Sequence, residues 1–466
     1  MGKSIVPLEG EYMQEKAREW ESRVFQQVCV VGQQEATAYL GSLDEALLTQ
    51  RPSGWVVVGF RERTLVTRFG EVRIQRRLYR DGRGVYHFLL DEYLGQNAHQ
   101  AATPEMQAMC TMLCGAMSFR KAANFLEQWL VGLLSHSTCW RLLQRTGQVA
   151  ATSAAEEVEA VFTRGEVFAQ GGERHIERLY MEADGVYVRL QRQPQTHLEL
   201  QSAIAYEGLE RLPGTREAYR LREKQVYCHV GDRISFWEGV SLAWGHKWDL
   251  RCVREVIVGG DGASWIRTGA EVFSGATWQL DGFHLARACR QALGAQPGRA
   301  LYQALRTGQA DNIQAYLQQV PRQEGKQAQR ASCWVEKVAQ EKWGLDWRVR
   351  QGLTMDEARG LGCMEGNQAQ LLAARMKGKG RSWSPGGAYH MAKAQELLTN
   401  GEVQRWCYRQ MRVEQPPAHY IRHPRSQRIA PDQWLQADVP ALYGPSANAP
   451  WVQYLRQLIH PSHLLN

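Results

Sequence analysis

The sequence predicts an α/β protein: a mixed sheet flanked by helices, interrupted by an all-helical insertion and preceded by an α+β region. Three observations predict it. Residues 256–284, VIVGGDGASWIRTGAEVFSGATWQLDGFH, read as a buried strand, a glycine-rich turn, an amphipathic helix and a second strand. Upstream, RLYMEADGVYVRL, THLELQSAIAYEGL and KQVYCHVGD read as an antiparallel three-strand meander. Downstream, residues 285–345 keep helical spacing through LARACRQALG, RALYQALRTG, NIQAYLQQV and ASCWVEKVAQEKW.

Taken in order, the chain divides into seven stretches. Residues 1–54 form a helical segment, with Tyr12, Ala17, Trp20, Val24 and Val28 at 3–4 residue spacing and Pro52-Ser53-Gly54 as its breaker. Residues 55–100 turn to β-structure in WVVVGF, TLVTRF, EVRIQRRLY and GVYHFLL. Arg61, Arg63, Arg68, Arg73, Arg76, Arg77, Arg80 and Arg83 stand there against Glu62, Glu71 and Asp81, a balance that suits a phosphate-gripping β-ribbon. Residues 101–170 hold two helices, SFRKAANFLEQWL and SHSTCWRLLQRTG, and a connector helix. A tight turn and Arg141 and Arg145 on the second helix fit a helix-turn-helix. Residues 171–284 carry the meander, the helix SFWEGVSLAWGHKW and the strand–helix–strand unit. Residues 285–360 are the insertion. Residues 361–410 open a helix at Glu365, pass through Arg375, Lys377, Lys379 and Arg381, and close with GAYHMAKAQELLTN. Residues 411–466 are a proline-rich tail.

Composition narrows the class. At 466 residues and 44% hydrophobic content the chain is globular, with several domains. WLVGLL at 129–134 is far short of the ~18 apolar residues of a membrane span. The start of the chain has no secretory core, and Gly2 alone is too loose a lipidation signal. Ten scattered cysteines without a CxxC pair predict reduced thiols and a cytoplasmic protein. The formal net charge of +8 is mild, but the clustered basic residues suit a polyanion.

Carboxylates carry the chemistry. Asp261 and Asp281 follow the carboxyl ends of two strands, the edge where open α/β sheets bind ligands. A turn alone accounts for a single Asp-Gly. Two such acids on neighbouring strands, with Asp184-Gly185 on the meander and Glu365 opening a later helix, point to oxygen ligands for hard divalent cations. Two such ions clamp the attacking and leaving oxygens of an in-line phosphoryl displacement. No Walker A loop, GxSxG elbow or HExxH helix competes with this reading. Cys228, His229, His246 and His284 have no usual zinc spacing.

At these residues the sequence resembles DDE transposases with a ribonuclease H-like catalytic core. LDGFH resembles the Asp-x-x-His signature of the Mutator-like branch. TRFGEVRIQRRLYRD, YMEADGVYV, GDGASWI and GCMEGNQAQ followed by RMKGKGRSWS resemble the ISLre-two family of bacterial insertion sequences, over roughly residues 60–400. The resemblance implies that Asp184, Asp261 and Glu365 bind two Mg²⁺ or Mn²⁺ ions. It makes His284 and Asp281 an accessory pair, with a homo-oligomer acting on double-stranded element ends and target DNA. Arg73, Arg76, Arg77, Arg141, Arg145, Arg375, Lys377, Lys379 and Arg381 are the expected DNA contacts. A catalytically silent DNA-binding protein and a structure-selective nuclease are the competing expectations.

Overall fold

The computed structural model describes residues 20–96, 101–129, 134–168, 171–214, 219–273, 275–353, 360–378 and 380–408. Lys379, the whole of the tail and the first nineteen positions of the N-terminal helical segment lie outside them. Residues 20–65 and 71–96 form one compact unit, and residues 66–70 with 101–408 form another.

In the first unit, helix α1 (Trp20–Thr49) is followed by strands β1 (Val56–Thr67), β2 (Gly70–Arg80) and β3 (Tyr86–His87) and the short helix α2 (Leu89–Tyr93). The run GVYHFLL, expected as strand, yields only the two residues of β3 before turning helical. Leu90 of that helix joins Leu43, Leu47, Leu65, Val72 and Ile74 in the core. Strand alternation sends Val72, Ile74, Arg76 and Leu78 of β2 to the buried side. Arg76 is tolerated there because Asp91 pairs with both Arg63 and Arg76, and the Arg76 guanidinium lies 3.5 Å from the centroid of the Phe88 ring. Arg77 pairs with Asp44 and Glu45, each at 2.7 Å.

The second unit opens with helices α3 (Pro104–Ala116), α4 (Phe119–Trp129) and α5 (His136–Val158). Ser135 caps α5 by accepting from the Thr138 amide at 3.1 Å. The sequence suggested a groove-reading helix here that continues into a connector. Helix α5 does run on, over 23 residues, but it buries Leu142, Leu143, Gln144, Thr146, Gly147, Ala150 and Ala151. A Cβ on Gly147 would stand 1.9 Å from the His390 carbonyl oxygen, so α5 lies backbone to backbone against a later helix. This is core packing, and it leaves only a narrow stripe that includes Trp140 and Arg141 outside.

The sheet follows as β4 (Arg178–Arg189), β5 (His197–Tyr206), the small ribbon β6 (Gly208–Arg211) and β7 (Tyr219–Arg222), and β8 (Gln225–His229). Helix α6 (Arg233–Gly245) leads to β9 (Glu255–Gly260), the single turns α7 (Ser264–Arg267) and α8 (Gly269–Val272), and β10 (Ala276–Leu280). The five long strands lie in the order β10-β9-β4-β5-β8. The meander β4, β5, β8 is antiparallel, while β9 runs parallel to both β4 and β10. The chain is therefore α/β with a mixed five-stranded sheet. Alternation along β4 sends Leu179, Met181 and Ala183 to one face, against α6 residues Phe236 and Trp237. Tyr180, Val186 and Val188 face the other layer, with Met106, Leu143 and Met391.

The insertion is helical as expected. It comprises α9 (Gly282–Leu293), α10 (Ala295–Thr307), α11 (Ala310–Gln319), α12 (Lys326–Gln340) and α13 (Trp347–Arg350). Leu285, Cys289, Leu301, Leu305, Val335 and Val338 form its own core. Residues 364–376 then make one helical run, α14 (Met364–Gln368), a π-turn (Ala369–Ala373) and α15 (Ala374–Met376). Helices α16 (Pro385–Asn400) and α17 (Val403–Tyr408) complete the description. All ten cysteines are free thiols. Among the described residues no helix is long and apolar enough to cross a membrane.

Candidate active site

Three adjacent strands bring the predicted acids to one sheet edge. In the parallel pairing of β4 with β9, Glu182 is level with Gly259, and two more residues on each strand set Asp184 level with Asp261. In the pairing of β9 with β10, Leu280 is level with Gly260. The Asp281 amide then donates to the Gly260 carbonyl at 2.7 Å, so Asp281 follows at the same level. Parallel register keeps equivalent residues on the same face, which puts Asp184 and Asp261 on the same side.

Glu365 arrives from far along the chain, and a residue the sequence reading did not single out brings it there. Glu182, two residues before Asp184 and on the same face, is 2% exposed. Its carboxylate accepts from the backbone amides of Gly362 (2.9 Å), Cys363 (2.8 Å) and Met364 (3.1 Å) and from the Tyr206 hydroxyl. Those amides are the unsatisfied donors at the start of the helical run that carries Glu365, so a strand carboxylate caps a helix from another part of the chain. Burial pushes the Glu182 carboxyl up from the usual range, against the opposing pull of those hydrogen bonds. One turn on, Gln368 accepts from the Ser202 hydroxyl at 2.6 Å, and Ser202 is the β5 partner of Asp184. Gly259 lies close to this crossing: a Cβ there would come 2.6 Å from the Cδ1 of Leu361, the residue that precedes the capped amides. The signal in the sequence was the pattern YMEADG itself: an acid on the inward phase of a strand.

The site's acids are balanced only in part, by the His284 imidazole. Burial raises the Asp184 carboxyl to about 6, helped by the charges of Asp261 and Glu365 and opposed by its hydrogen bond from Gly185 and by His284. No lysine or arginine among the described residues forms an ion pair with Asp184, Asp261 or Glu365. Asp281 caps α9 by accepting from the His284 amide at 3.0 Å and also meets the His284 ring Nδ1 at 2.9 Å. Burial pushes Asp281 up, but the hydrogen bonds from His284 outweigh it and hold the carboxyl below its ordinary value. The same bond raises His284, with further contributions from Asp261 and Asp184. The expectation that Asp281 orients His284 matches this geometry.

The cations expected on DNA divide sharply. Arg73, Arg141 and Lys377 are exposed. Arg76 and Arg77 are held in the ion pairs described above. Arg145 is half-buried, and burial lowers its pKa. Arg375 is buried, with its Nε donating to the Cys114 carbonyl at 2.8 Å. Arg381 spends one nitrogen on the carbonyls of Ala374, Arg375 and Lys377 at the end of its own helical run. The alternating basics therefore do not form one solvent-facing strip. Cys228, His229, His246 and His284 are not gathered at any metal-sized cluster. The described side chains that do gather so are Cys110, Cys114 and Cys139, and His175, Asp249 and Cys252.

Residues 11–412 match the family described as Uncharacterised protein family (UPF0236). The chain belongs to UPF0236. Similar proteins come from Caldanaerobacter subterraneus subsp. tengcongensis. One UPF0236 protein, whose name joins eleven locus designations, is 22% identical over 384 residues, covering 80% of this chain and 75% of the relative. A second, with a single designation, is 23% identical over 384 residues, covering 80% and 76%. A third, with four designations, is 22% identical over 363 residues, covering 76% and 71%. This corrects the family read from the sequence. The matched UPF0236 family is uncharacterised, and neither its description nor its relatives' names carry a transposase term, so the ISLre-two and Mutator-like assignment does not stand.

Proposed function

We propose that this UPF0236 protein is a divalent-cation-dependent DNA transposase that cuts the ends of its own element and joins the freed 3′-hydroxyl to target DNA. The observation that carries the reading is the gathering of Asp184, Asp261 and Glu365 at one sheet edge with His284 and no lysine or arginine partner among the described residues. Burial and the charges of Asp261 and Glu365 raise the Asp184 carboxyl, and a cation bound there would offset that cost.

The donor set fits Mg²⁺ or Mn²⁺. All three ligands are carboxylates, which suit hard cations better than zinc. Their oxygens do not all lie within 4.8 Å of one another. Cations taken up there would have to draw the carboxylates closer together. Bound there, the cations supply charge neutralisation for an in-line phosphoryl displacement. The chain's own residues do the rest. Asp184, Asp261 and Glu365 fix the cations' places. Glu182 and Gln368 hold Glu365 against the sheet. Asp281 holds the His284 ring, whose raised pKa favours an Nε2–H that can donate to a phosphate oxygen. Arg73, Arg141 and Lys377 are the exposed cations available to the duplex backbone.

Two further points support the reading. A mixed sheet flanked by helices, with an all-helical insertion between the second and third acids, is the architecture that a ribonuclease H-like core requires. A relative's name that joins eleven locus designations from one strain describes a gene present many times in one genome, the trace that a self-moving element leaves. Action on two element ends calls for a homo-oligomer on DNA.

The test uses the full-length protein and DNA carrying the sequences that flank its gene. Asp184→Asn, Asp261→Asn and Glu365→Gln are each expected to reduce Mg²⁺-dependent cleavage and strand transfer by at least ~10³-fold, in the range seen when an electrostatic catalytic group is removed. DNA affinity is expected to stay within about twofold, because none of the three is a proposed DNA-backbone contact. Cleavage without strand transfer would make the protein a nuclease. Full activity in any one variant removes that residue from the site.

A further inference from the structure

A cavity of about 340 Å³ lies beside the end of the helical run that carries Glu365, walled by Phe119, Trp140, Trp383, Arg375, Arg381 and Ser384. Its composition is unusual in one respect. Two guanidinium groups stand at it, and neither forms an ion pair with a carboxylate among the described residues. Arg375 is 8% exposed, its Nε is spent on the Cys114 carbonyl, and its Nη2 is buried without a partner. Its guanidinium lies 4.9 Å from the Phe119 ring centroid and 5.6 Å from that of Trp383. Burying a cation with no anion is costly, and aromatic faces offset only part of that cost. Trp140, on the exposed stripe of α5, presents a large ring at the mouth with 43% of its surface exposed.

Aromatic walls, unmatched cations and a nearby serine hydroxyl are the complement of one chemical unit: a planar heteroaromatic ring joined to a phosphate. We infer that this cavity receives a single unstacked nucleotide of a DNA strand, its base against Trp140 and Phe119 and its phosphate toward Arg381 and Arg375. The inference rests on the DNA reading above, and it adds a binding site separate from the carboxylates. Ten residues of helix separate Glu365 from Arg375, about 15 Å at 1.5 Å per residue, so the bound nucleotide is not the one that reacts. Extruding a base costs little where the strand is already unpaired, and a stacked base returns about 1–3 kcal/mol.

The experiment measures binding in the presence of EDTA, which removes the cation site from the comparison. The probes are a labelled oligothymidylate, an abasic strand of equal length and free thymidine 5′-monophosphate. The proteins are the wild type, Trp140→Ala and Trp140→Phe. Wild type is expected to prefer the oligothymidylate over the abasic strand. Trp140→Ala is expected to lose about tenfold on the oligothymidylate and nothing on the abasic strand, the size expected for one lost base stack. Trp140→Phe should recover most of the loss. Equal losses on both strands, or none, would overturn the cavity as a base site. Free nucleotide binding as tight as the strand would overturn a DNA strand as the source. Either result leaves the metal-dependent cleavage assay to judge the catalytic reading separately.

Discussion

In the β-ribbon of the first unit the buried charges meet their opposites. Arg63 and Arg76 share Asp91, and Arg77 bridges Asp44 and Glu45. At the sheet edge of the second unit Asp184, Asp261 and Glu365 gather with no lysine or arginine partner among the described residues, and the Asp184 carboxyl rises to about 6 despite His284. Both clusters looked functional as lists of charged residues. The folded arrangement separates them. Charges neutralised within the chain hold structure, and charges left unneutralised in a confined place await something from outside the chain.

The sharpest way to break the comparison is to remove a counter-charge from the first cluster. Asp91→Ala leaves two guanidinium groups buried without their carboxylate and is expected to cost about 3–5 kcal/mol in denaturant unfolding. Arg76→Met added to it should recover part of the loss. A neutral effect of Asp91→Ala would mean that the arginines find other partners and that the ribbon is not built on this pairing.

Glu182→Gln comes next. An amide can offer its carbonyl to the amides of residues 362–364, but its NH₂ then faces donors, at a cost of about 2–3 kcal/mol. Hydrogen exchange should quicken at 362–364 and stay unchanged along β5 and β8. Uniform quickening would make Glu182 a general core residue and not the clamp on the Glu365 helix.

Asp184→Asn should act in the opposite direction on stability. Asp184 carries a folded pKa of about 6 against an ordinary value of 3.8. The folded state therefore holds its proton more tightly. The stabilisation this gives is complete below about pH 3.8 and is lost as pH rises through about 6. At neutral pH the ionised group costs on the order of 2 kcal/mol in the cation-free protein, allowing for its partial exposure. Asp184→Asn is expected to raise the melting temperature at pH 7 in EDTA and to match wild type at pH 4. A variant less stable than wild type at pH 7 would mean that the carboxylate is internally satisfied.

The smallest effects belong to the surface. Arg73→Ala is expected to lower DNA affinity by less than tenfold and to reduce the salt slope by about one unit, as for one phosphate contact. Arg77→Ala should lower stability and leave the salt slope alone. Identical behaviour of the two would return Arg77 to the DNA-contact set.

Much of the second unit was legible because its signals are local. Period-two alternation in YMEADGVYV, the apolar run VIV and the helical spacing of residues 285–345 fixed the order of elements. Asp281 and His284 were readable as a pair because a helix cap needs only three residues of spacing. The reach of Glu365 to Asp184 was not readable from spacing, since it depends on Glu182 meeting amides 180 residues away. The arginines misled for a similar reason. Whether Arg76 points into a core or toward a phosphate depends on Asp91, on a helix that the sequence reading took for strand. Helix α5 carries the spacing of a DNA-reading helix, but Gly147 and its neighbours are small because another helix lies against them.

The central claim is that the acids at the sheet edge form a cation site, and calorimetric titration of Mn²⁺ into the metal-free protein tests it most directly. The account predicts saturable binding that is abolished in Asp184→Asn and weakens as pH falls below about 6, where the Asp184 proton competes with the metal. Mn²⁺ binding that is absent in the wild type, or unchanged in Asp184→Asn, would contradict it.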